Sequence, residues 1–169
     1  GAQFAGWNGD SALTVVIPDA SRPEVVAERE RLSEVTHGSL WAGIARLATA
    51  SHLGEVGAAI QEHIESQGTY GILRDYVGHG IGRKMHEPPT VFNYATGERE
   101  ADVRPGLVVA IEPMVVAGDQ ATFVEDDDWT VTTIDGSAGS HWEHSVAVHD
   151  GGIWVLTAHD GGAAGLAPF

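Results

Sequence analysis

Four side chains in the sequence could together bind a metal ion, and one of them, Glu112, is placed where it needs a partner. Glu112 is enclosed by apolar residues, with LVVAI at 107–111 before it and MVV at 114–116 after it. An ionised carboxylate buried there is costly unless it is paired, hydrogen-bonded or bound to a metal. His79 lies in the glycine-rich stretch GHGIG, in which the backbone can approach a bound ion closely. The four candidate ligands are Asp10, His79, Glu112 and Glu143.

Each of the three carboxylates also has a simple structural explanation. Glu112 could form a structural salt bridge, Glu143 could face water on an edge strand, and Asp10 could be a turn residue. Taken together with one imidazole, however, they make an oxygen-rich ligand set that suits Mn, Fe, Co or Zn ions and could bridge two of them. The chain has no cysteine, so any metal must be held by oxygen and nitrogen atoms.

The glycines around His79 do not form a nucleotide-binding loop. Their spacing differs from that of the dinucleotide fingerprint, and the following residues, RKMHEPP, cannot open a regular helix. The segment also lacks the HExxH spacing that places two zinc ligands on one face of a helix. A metal site built from several distant segments therefore remains the favoured interpretation.

Hydrophobic patterns predict a mixed α/β chain with substantial antiparallel pairing around these residues. Apolar residues at helical spacing predict one long helix over 24–49 and a shorter one over 53–68. Residues 2–17 predict a hairpin with its turn at 7–9, and the tail at 158–169 is expected to be disordered. Runs rich in β-branched and aromatic residues predict later strands within 106–116, 129–135, 141–148 and 152–157.

Composition fits one soluble domain and argues against polyanionic partners. The chain has 169 residues, 43% of them hydrophobic, and 24 acidic against 9 basic residues give a net charge of −15. This charge repels nucleic acid and anionic membrane surfaces, so no nucleic-acid or membrane binding is expected. No apolar run approaches the roughly 18 residues that cross a bilayer, and no signal peptide is evident. A cytoplasmic location is expected.

Several longer motifs resemble, in their order and spacing, those of the bacterial type 1 methionine aminopeptidases. The motifs are GWNGDSALT, YVGHGIGRKMHEPP, RPGLVVAIEPMV and DDDWTVTTIDGSAGSHWEHSVAV. The resemblance covers residues 1–157 and implies a catalytic domain with the pita-bread (creatinase/aminopeptidase-like) α/β fold, lacking its N-terminal portion. Prolidases and proline-specific aminopeptidases carry a similar glycine-rich loop and IEP strand, whereas the WEHS stretch resembles the methionine aminopeptidase form.

The resemblance implies a dinuclear metal site and a peptidase mechanism. Asp10 and Glu143 would be carboxylates bridging two divalent ions (Co, Mn, Fe or Zn), and His79 and Glu112 would be ligands of the first. A metal-bound hydroxide would attack the first peptide bond and remove the N-terminal methionine of nascent proteins. Glu112 would also move a proton to the leaving amine, and His86 would contact the scissile peptide and its developing oxyanion.

Further residues are expected around this centre. By resemblance, Met85, Met114 and Trp129 would form part of the substrate pocket together with His86. His141, where relatives commonly have glutamine, and His144 flank Glu143 and are predicted to orient it. The remaining histidines are expected at the surface: His37, His52, His63, His149 and His159.

The resemblance also implies that part of the catalytic machinery precedes Gly1. A second aspartate ligand and a further active-site histidine of the family have no counterpart in the chain. We therefore expect these 169 residues alone to bind at most one metal tightly and to have weak or no peptidase activity, whereas the full-length enzyme would bind two metal ions. The expected partners are nascent polypeptide N-termini, with association with the ribosome compatible with that role. Two alternatives remain: a prolidase-like or proline-specific hydrolase, and a catalytically dead binding module of the same fold.

Overall fold

The computed structural model describes all 169 residues, which form three helices and thirteen short strands. The helices are α1 (Pro23–Leu47), α2 (Leu53–Gln67) and α3 (Ala163–Leu166). The strands are β1 (Ala2–Phe4), β2 (Trp7–Gly9), β3 (Ser11–Ala12), β4 (Gly71–Ile72), β5 (Gly78–Gly80), β6 (Glu87–Val91), β7 (Val108–Ile111), β8 (Met114–Val116), β9 (Thr122–Val124), β10 (Val131–Thr133), β11 (Gly139–His141), β12 (Glu143–His149) and β13 (Gly152–Val155). None of the three helices combines the length and the hydrophobicity that a membrane-spanning segment needs.

The two long helices agree with the sequence patterns and pack against each other. Pro23 stands in the first turn of α1, where its missing N–H costs nothing, and Gly68 follows the last residue of α2 with a φ of 144°. At their crossing, a Cβ on Gly43 would lie 2.7 Å from Ile60, so the small residue permits close approach. Their apolar faces form the core with the sheets.

The strands form a large antiparallel sheet, a smaller one and two separate hairpins. The large sheet has the order β13-β12-β7-β5-β6, with β3 also paired to β12, and the smaller sheet has the order β11-β8-β4. The hairpins are β1–β2 and β9–β10. The mixed α/β class with antiparallel pairing is therefore confirmed.

Two pairs of consecutive strands, β7–β8 and β11–β12, each have one strand in the large sheet and one in the small sheet. The two breaks lie opposite each other. The break between β7 and β8 falls at Glu112–Pro113, and the break between β11 and β12 falls at Trp142. Proline cannot donate to a ladder, so Pro113 gives a physical reason for the first break. The register is nevertheless continuous, because His141 pairs with Met114 on one side and His144 with Ile111 on the other.

The first hairpin differs from the prediction, because its turn precedes residues 7–9. Ala5 and Gly6 make the turn with φ values of 48° and 78°, a two-residue connection that matches the twist of antiparallel strands. Residues 7–9 therefore form β2, and the prediction of a turn there was wrong. Alanine is an unusual residue at positive φ, so composition gave no signal for this turn.

The last twelve residues, expected to be disordered, instead contain α3 and contact the core. Leu166 packs against the core cluster, and Asp160 accepts hydrogen bonds from the backbone N–H groups of Gly162 and Ala164. A Cβ on Gly165 would lie 2.3 Å from the Trp41 ring, so the absence of a side chain lets the two come together. The glycine-rich composition suggested disorder but permits this close packing.

Candidate metal centre

One row of residues across the large sheet combines two polar side chains with two small ones. His79 on β5 pairs with Ala110 on β7, and Ala110 pairs with Ser145 on β12. Ser145 in turn holds Asp10, since its hydroxyl donates to the Asp10 carbonyl at 2.7 Å and accepts from the Asp10 N–H at 3.1 Å. The small residues in the middle leave space between the imidazole and the carboxylate.

The next row supplies two carboxylates. The register that continues through the strand breaks places Glu112 opposite Glu143. Because side chains two residues apart in a strand share a face, these glutamates lie on the same side of the sheet as Ala110 and Ser145. Asn93 supports this end of β7 by donating to the Glu112 carbonyl at 3.2 Å.

The ligand atoms of the candidate residues lie close together. Those of Asp10, His79 and Glu143 all lie within 4.8 Å of one another, and so do those of Glu112, His141 and Glu143. His79 Nε2 is 3.4 Å from Glu112 Oε1. The four ligands expected from the sequence are thus brought together, with His141 as a fifth possible donor.

The second nitrogen of His79 makes the hydrogen bond typical of a metal-binding histidine. Its Nδ1 lies 3.0 Å from the Gly80 carbonyl oxygen. Donation from Nδ1–H to this carbonyl leaves Nε2, which faces Glu112, with a free lone pair. Glycine is needed at position 80, because a Cβ there would lie 2.4 Å from the Pro88 carbonyl oxygen.

The carboxylates create an electrostatic conflict that a cation would relieve. Glu143 is 4% exposed, and its Oε1 has no hydrogen-bond partner. Burial, followed by repulsion from Glu112 and Asp10, raises the Glu143 pKa from 4.5 to about 8. Three convergent carboxylates with an orphaned oxygen among them fit a divalent metal ion, which would favour the ionised form.

His141 and His144 lie in different surroundings, although both flank Glu143. His141 Nε2 lies 3.5 Å from Glu112 Oε2. His144 belongs to the opposite face of β12, where its Nδ1 is 2.7 Å from Thr157 Oγ1 and its ring contacts Trp41. The structure thus brings His141 to the centre and directs His144 away from it.

The residues expected to bind substrate fall into two groups. His86 is exposed, and its ring centroid lies 4.4 Å from that of His79, while Met85 packs against Gly1 beside Asp10. Met114 and Trp129 instead line a cleft of about 750 Å³ that also includes His141. Trp129 is 87% exposed at its rim.

Three supporting residues were missed in the sequence analysis. Ser145 clamps Asp10, Asn93 holds the end of β7, and Thr14 Oγ1 donates to the His141 carbonyl at 2.8 Å while accepting from its N–H at 2.9 Å. Ser145 stands two residues after Glu143, which is a usable signal for a shared face. No local pattern indicated the contacts of Asn93 and Thr14, which span 19 and 127 residues.

The surface prediction was wrong for His37 and only partly right for His52 and His63. His37 is half-buried between Trp41, whose Nε1 donates to His37 Nε2 at 2.9 Å, and Trp142, whose ring centroid is 4.5 Å away. Burial lowers the His37 pKa. By contrast, His149 and His159 are exposed as expected, while His52 and His63 are partly buried.

Comparisons with known proteins identify a matching family and several similar chains. The sequence profile of metallopeptidase family M24 matches residues 1–150. The methionine aminopeptidase of Clostridium acetobutylicum is 42% identical over 157 residues, which is 93% of this chain and 60% of that protein. The crystal structure of the Thermotoga maritima methionine aminopeptidase has a TM-score of 0.82 at 37% identity, covering 92% of this chain and 60% of that one.

More distant solved structures share the fold alone. The prolidase of Pyrococcus horikoshii has a TM-score of 0.60 at 21% identity, covering 90% of this chain and 37% of that one. The chain spans about 60% of the length of the curated relatives it matches.

Proposed function

The chain belongs to metallopeptidase family M24, and from this premise we propose that the whole protein is a metal-dependent aminopeptidase that removes N-terminal methionine from nascent proteins. One observation carries the proposal: a buried carboxylate without a partner, Glu143, stands amid the ligand atoms of Asp10, His79 and Glu112. The similarity to methionine aminopeptidases supports this substrate over the Xaa-Pro substrates of prolidases, which resemble the chain only at low identity. Work on nascent chains implies a cytoplasmic location.

Asp10, His79, Glu112 and Glu143 would hold the divalent metal. The bound ion would supply a Lewis acid that polarises a carbonyl oxygen and lowers the pKa of water. His79 would bind through Nε2, because its Nδ1 faces the Gly80 carbonyl. Glu143 and Asp10 would stabilise the bound charge as carboxylates. This ligand set accepts Mn, Fe, Co or Zn ions. Which of them binds in the cell therefore depends on metal availability as well as on the ligands.

Two residues would act on the peptide. His86 is exposed beside His79, so its imidazole can donate a hydrogen bond to the carbonyl oxygen of the first peptide bond and stabilise negative charge there. Glu112 would accept a proton from the attacking water and pass it to the leaving amine.

Met114 and Trp129 would contact the methionine side chain. They line the cleft that reaches His141 at the edge of the centre. An apolar, adaptable lining suits an unbranched thioether. Met85 lies on the other side, beside Asp10, and would contact the peptide nearer its amino group. The expectation that these 169 residues alone bind at most one metal tightly and have weak or no peptidase activity stays a prediction.

The test measures amino-acid release by the whole protein after loading with Mn²⁺ or Co²⁺. We expect methionine release from a Met-Ala peptide, no cleavage of an Ala-Pro peptide, and loss of activity with EDTA. His86→Ala should lower kcat by about 100-fold or more, the usual range for a lost acid–base or oxyanion contact, with metal content unchanged. Cleavage of Ala-Pro alone would instead indicate a prolidase, and full metal loading without any hydrolysis would indicate a binding module.

A further inference from the structure

We propose that Asn8 is a positioning residue for His86. Asn8 lies on β2, in the first hairpin, and it fastens this hairpin to the loop that carries His86, residues 82–86. The inference rests on the proposed function, because it takes His86 to contact the scissile peptide. It adds the residue that would set where that imidazole stands.

The loop that carries His86 has few anchors of its own. None of its five residues is fully buried, and His86 itself is exposed. The loop begins after Ile81, which is 4% exposed, and ends where Glu87 starts β6. The His86 side chain contacts the His79 ring but makes no hydrogen bond, so its position depends on where the loop backbone lies.

Asn8 makes two hydrogen bonds to a single carbonyl of this loop. Its backbone N–H donates to the Gly82 carbonyl oxygen at 2.8 Å, and its side-chain Nδ2 donates to the same oxygen at 2.9 Å. Gln3 Nε2 donates to Asn8 Oδ1 at 3.4 Å, which orients the amide with its nitrogen toward the loop. A carbonyl oxygen has two lone pairs, so both bonds can form, and together they fix its direction as well as its distance.

The next residue, Arg83, makes a second attachment to the same hairpin. Its Nη1 donates to the Gly6 carbonyl oxygen at 3.2 Å, and its guanidinium carbon lies 3.7 Å from the centre of the Trp7 ring, an attractive cation–π arrangement. A Cβ on Gly6 would lie 3.0 Å from Arg83 Nη1, so the glycine permits this approach. Apart from bonds within the bend and to Glu87, the hydrogen bonds of the loop all go to this hairpin.

The metal ligand that follows the hairpin is held independently of the Asn8 side chain. Asp10 exchanges two hydrogen bonds with Ser145, and the chain beyond it pairs with β12 through β3. Loss of the Asn8 amide should therefore release the loop and leave the metal ligands in place. The expected consequence is a misplaced His86 beside a fully loaded metal centre.

The first test is the kinetics of Asn8→Ala in the whole protein loaded with Mn²⁺, with a Met-Ala peptide as substrate. We expect kcat to fall about 10-fold or more, because misplacing a catalytic group by about 1 Å can cost about 100-fold. KM should stay near its wild-type value, because His86 would contact charge that develops in the transition state. Metal content should equal that of wild type. The control is Gln120→Ala at an exposed amide, which should keep the wild-type kcat.

A double-mutant cycle separates positioning from general support of the fold. In the His86→Ala background, Asn8→Ala should lower kcat no further, since the group that it positions is gone. Arg83→Met removes the neighbouring attachment and should behave in the same way. An unchanged kcat in Asn8→Ala, an equal fall in both backgrounds, or a loss of bound metal would each overturn the proposal.

A further measurement does not depend on peptidase activity. The ring centroids of His79 and His86 lie 4.4 Å apart, so a nuclear Overhauser effect should connect their ring protons in the metal-free protein. Asn8→Ala should lose most of this signal, while Gln120→Ala should keep it. An unchanged signal in Asn8→Ala would overturn the positioning role. If wild type released no methionine and Asn8→Ala still lost the signal, the proposed function would fail and the control of the His86 position by Asn8 would stand.

Discussion

At the scale of single residues, the centre is defined by three carboxylates held close together, one of which, Glu143, has a buried oxygen without a hydrogen-bond partner. Glu143 stands opposite Glu112 in the strand register, and Asp10 is held nearby through Ser145. Such an arrangement destabilises the metal-free fold and is relieved by cation binding or by protonation. The residues that would bind metal should therefore lower stability when the metal is absent.

The first prediction concerns Glu143→Gln in the metal-free chain. The folded-state pKa of Glu143 is raised to about 8, so the folded state holds a proton that the unfolded state loses above pH 4.5. Its contribution therefore makes stability fall as pH rises from about 4.5 to 8. Removing the charge should raise the free energy of unfolding at pH 8 by on the order of 2 kcal/mol, since one pKa unit corresponds to about 1.4 kcal/mol.

The measurement is urea denaturation in EDTA at pH 5 and pH 8. Wild type should lose stability between these values, and Glu143→Gln should lose less. Glu98→Gln removes a charge at an exposed position and should change neither the stability nor its pH dependence. If the free energy of unfolding fell equally between pH 5 and pH 8 in wild type and Glu143→Gln, this carboxyl would not be protonated in the folded metal-free state.

The second prediction concerns Ser145→Ala. Ser145 exchanges two hydrogen bonds with the Asp10 backbone, so the variant should lose about 1–3 kcal/mol of unfolding free energy by leaving buried groups unsatisfied. It should also bind Co²⁺ more weakly, because Asp10 is no longer held in place. Ser66→Ala, which removes an exposed hydroxyl bonded to the His63 carbonyl, is the control. Stability loss without any change in Co²⁺ affinity would show that Ser145 supports the fold alone.

At the scale of elements, α1 is joined to the back of β12 by aromatic residues. His37 and Trp41 on the helix meet Trp142 and His144, and Trp142 Nε1 donates to Ser33 Oγ at 3.0 Å. Burial lowers the pKa of both histidines, so the neutral forms are favoured in the folded state. This contact fixes the strand whose other face carries Glu143.

The third prediction is that acid weakens this contact between helix and sheet. Unfolded histidine takes up a proton near pH 6.5, whereas His37 and His144 resist it, so stability should fall as pH drops below 6.5. Glu143 gives the opposite slope, so the measurement uses the Glu143→Gln background at pH 7.5 and 5.5. Adding His37→Gln should reduce the loss, while adding His149→Gln at an exposed position should not. If both double variants lost the same unfolding free energy between pH 7.5 and pH 5.5, His37 would not contribute to the acid sensitivity.

The elements were more predictable than their pairing. Leu40 and Ile44 belong to a helical pattern that the structure retains in α1, because local periodicity decides which face is buried. Glu112 was identified because a carboxylate in an apolar run needs a partner. The contacts of His141 with Thr14 span 127 residues, and no local pattern encodes them. The Ala5–Gly6 turn escaped prediction because alanine rarely adopts positive φ.

At the scale of the whole molecule, the centre connects segments that are distant in sequence. Asp10 follows the first hairpin, His79 lies on β5, Glu112 directly follows β7, and Glu143 begins β12. A cation bound to all four would link β5 and β12 to the segment that leaves β7 and to the segment that enters β3. With a net charge of −15, the chain should also attract divalent ions to this concentrated negative site.

The last prediction follows from that linkage. A ligand that binds only the folded state stabilises it by RT ln(1 + [L]/Kd), about 2.7 kcal/mol at 100 times Kd. Urea unfolding with Mn²⁺ at this excess should show a gain of that size, which EDTA should reverse. His79→Ala should lose most of the gain, whereas the exposed His159→Ala should retain it. Because a general charge effect would stabilise both variants equally, equal gains would mean that Mn²⁺ acts by screening the acidic surface and that the four ligands do not bind it jointly.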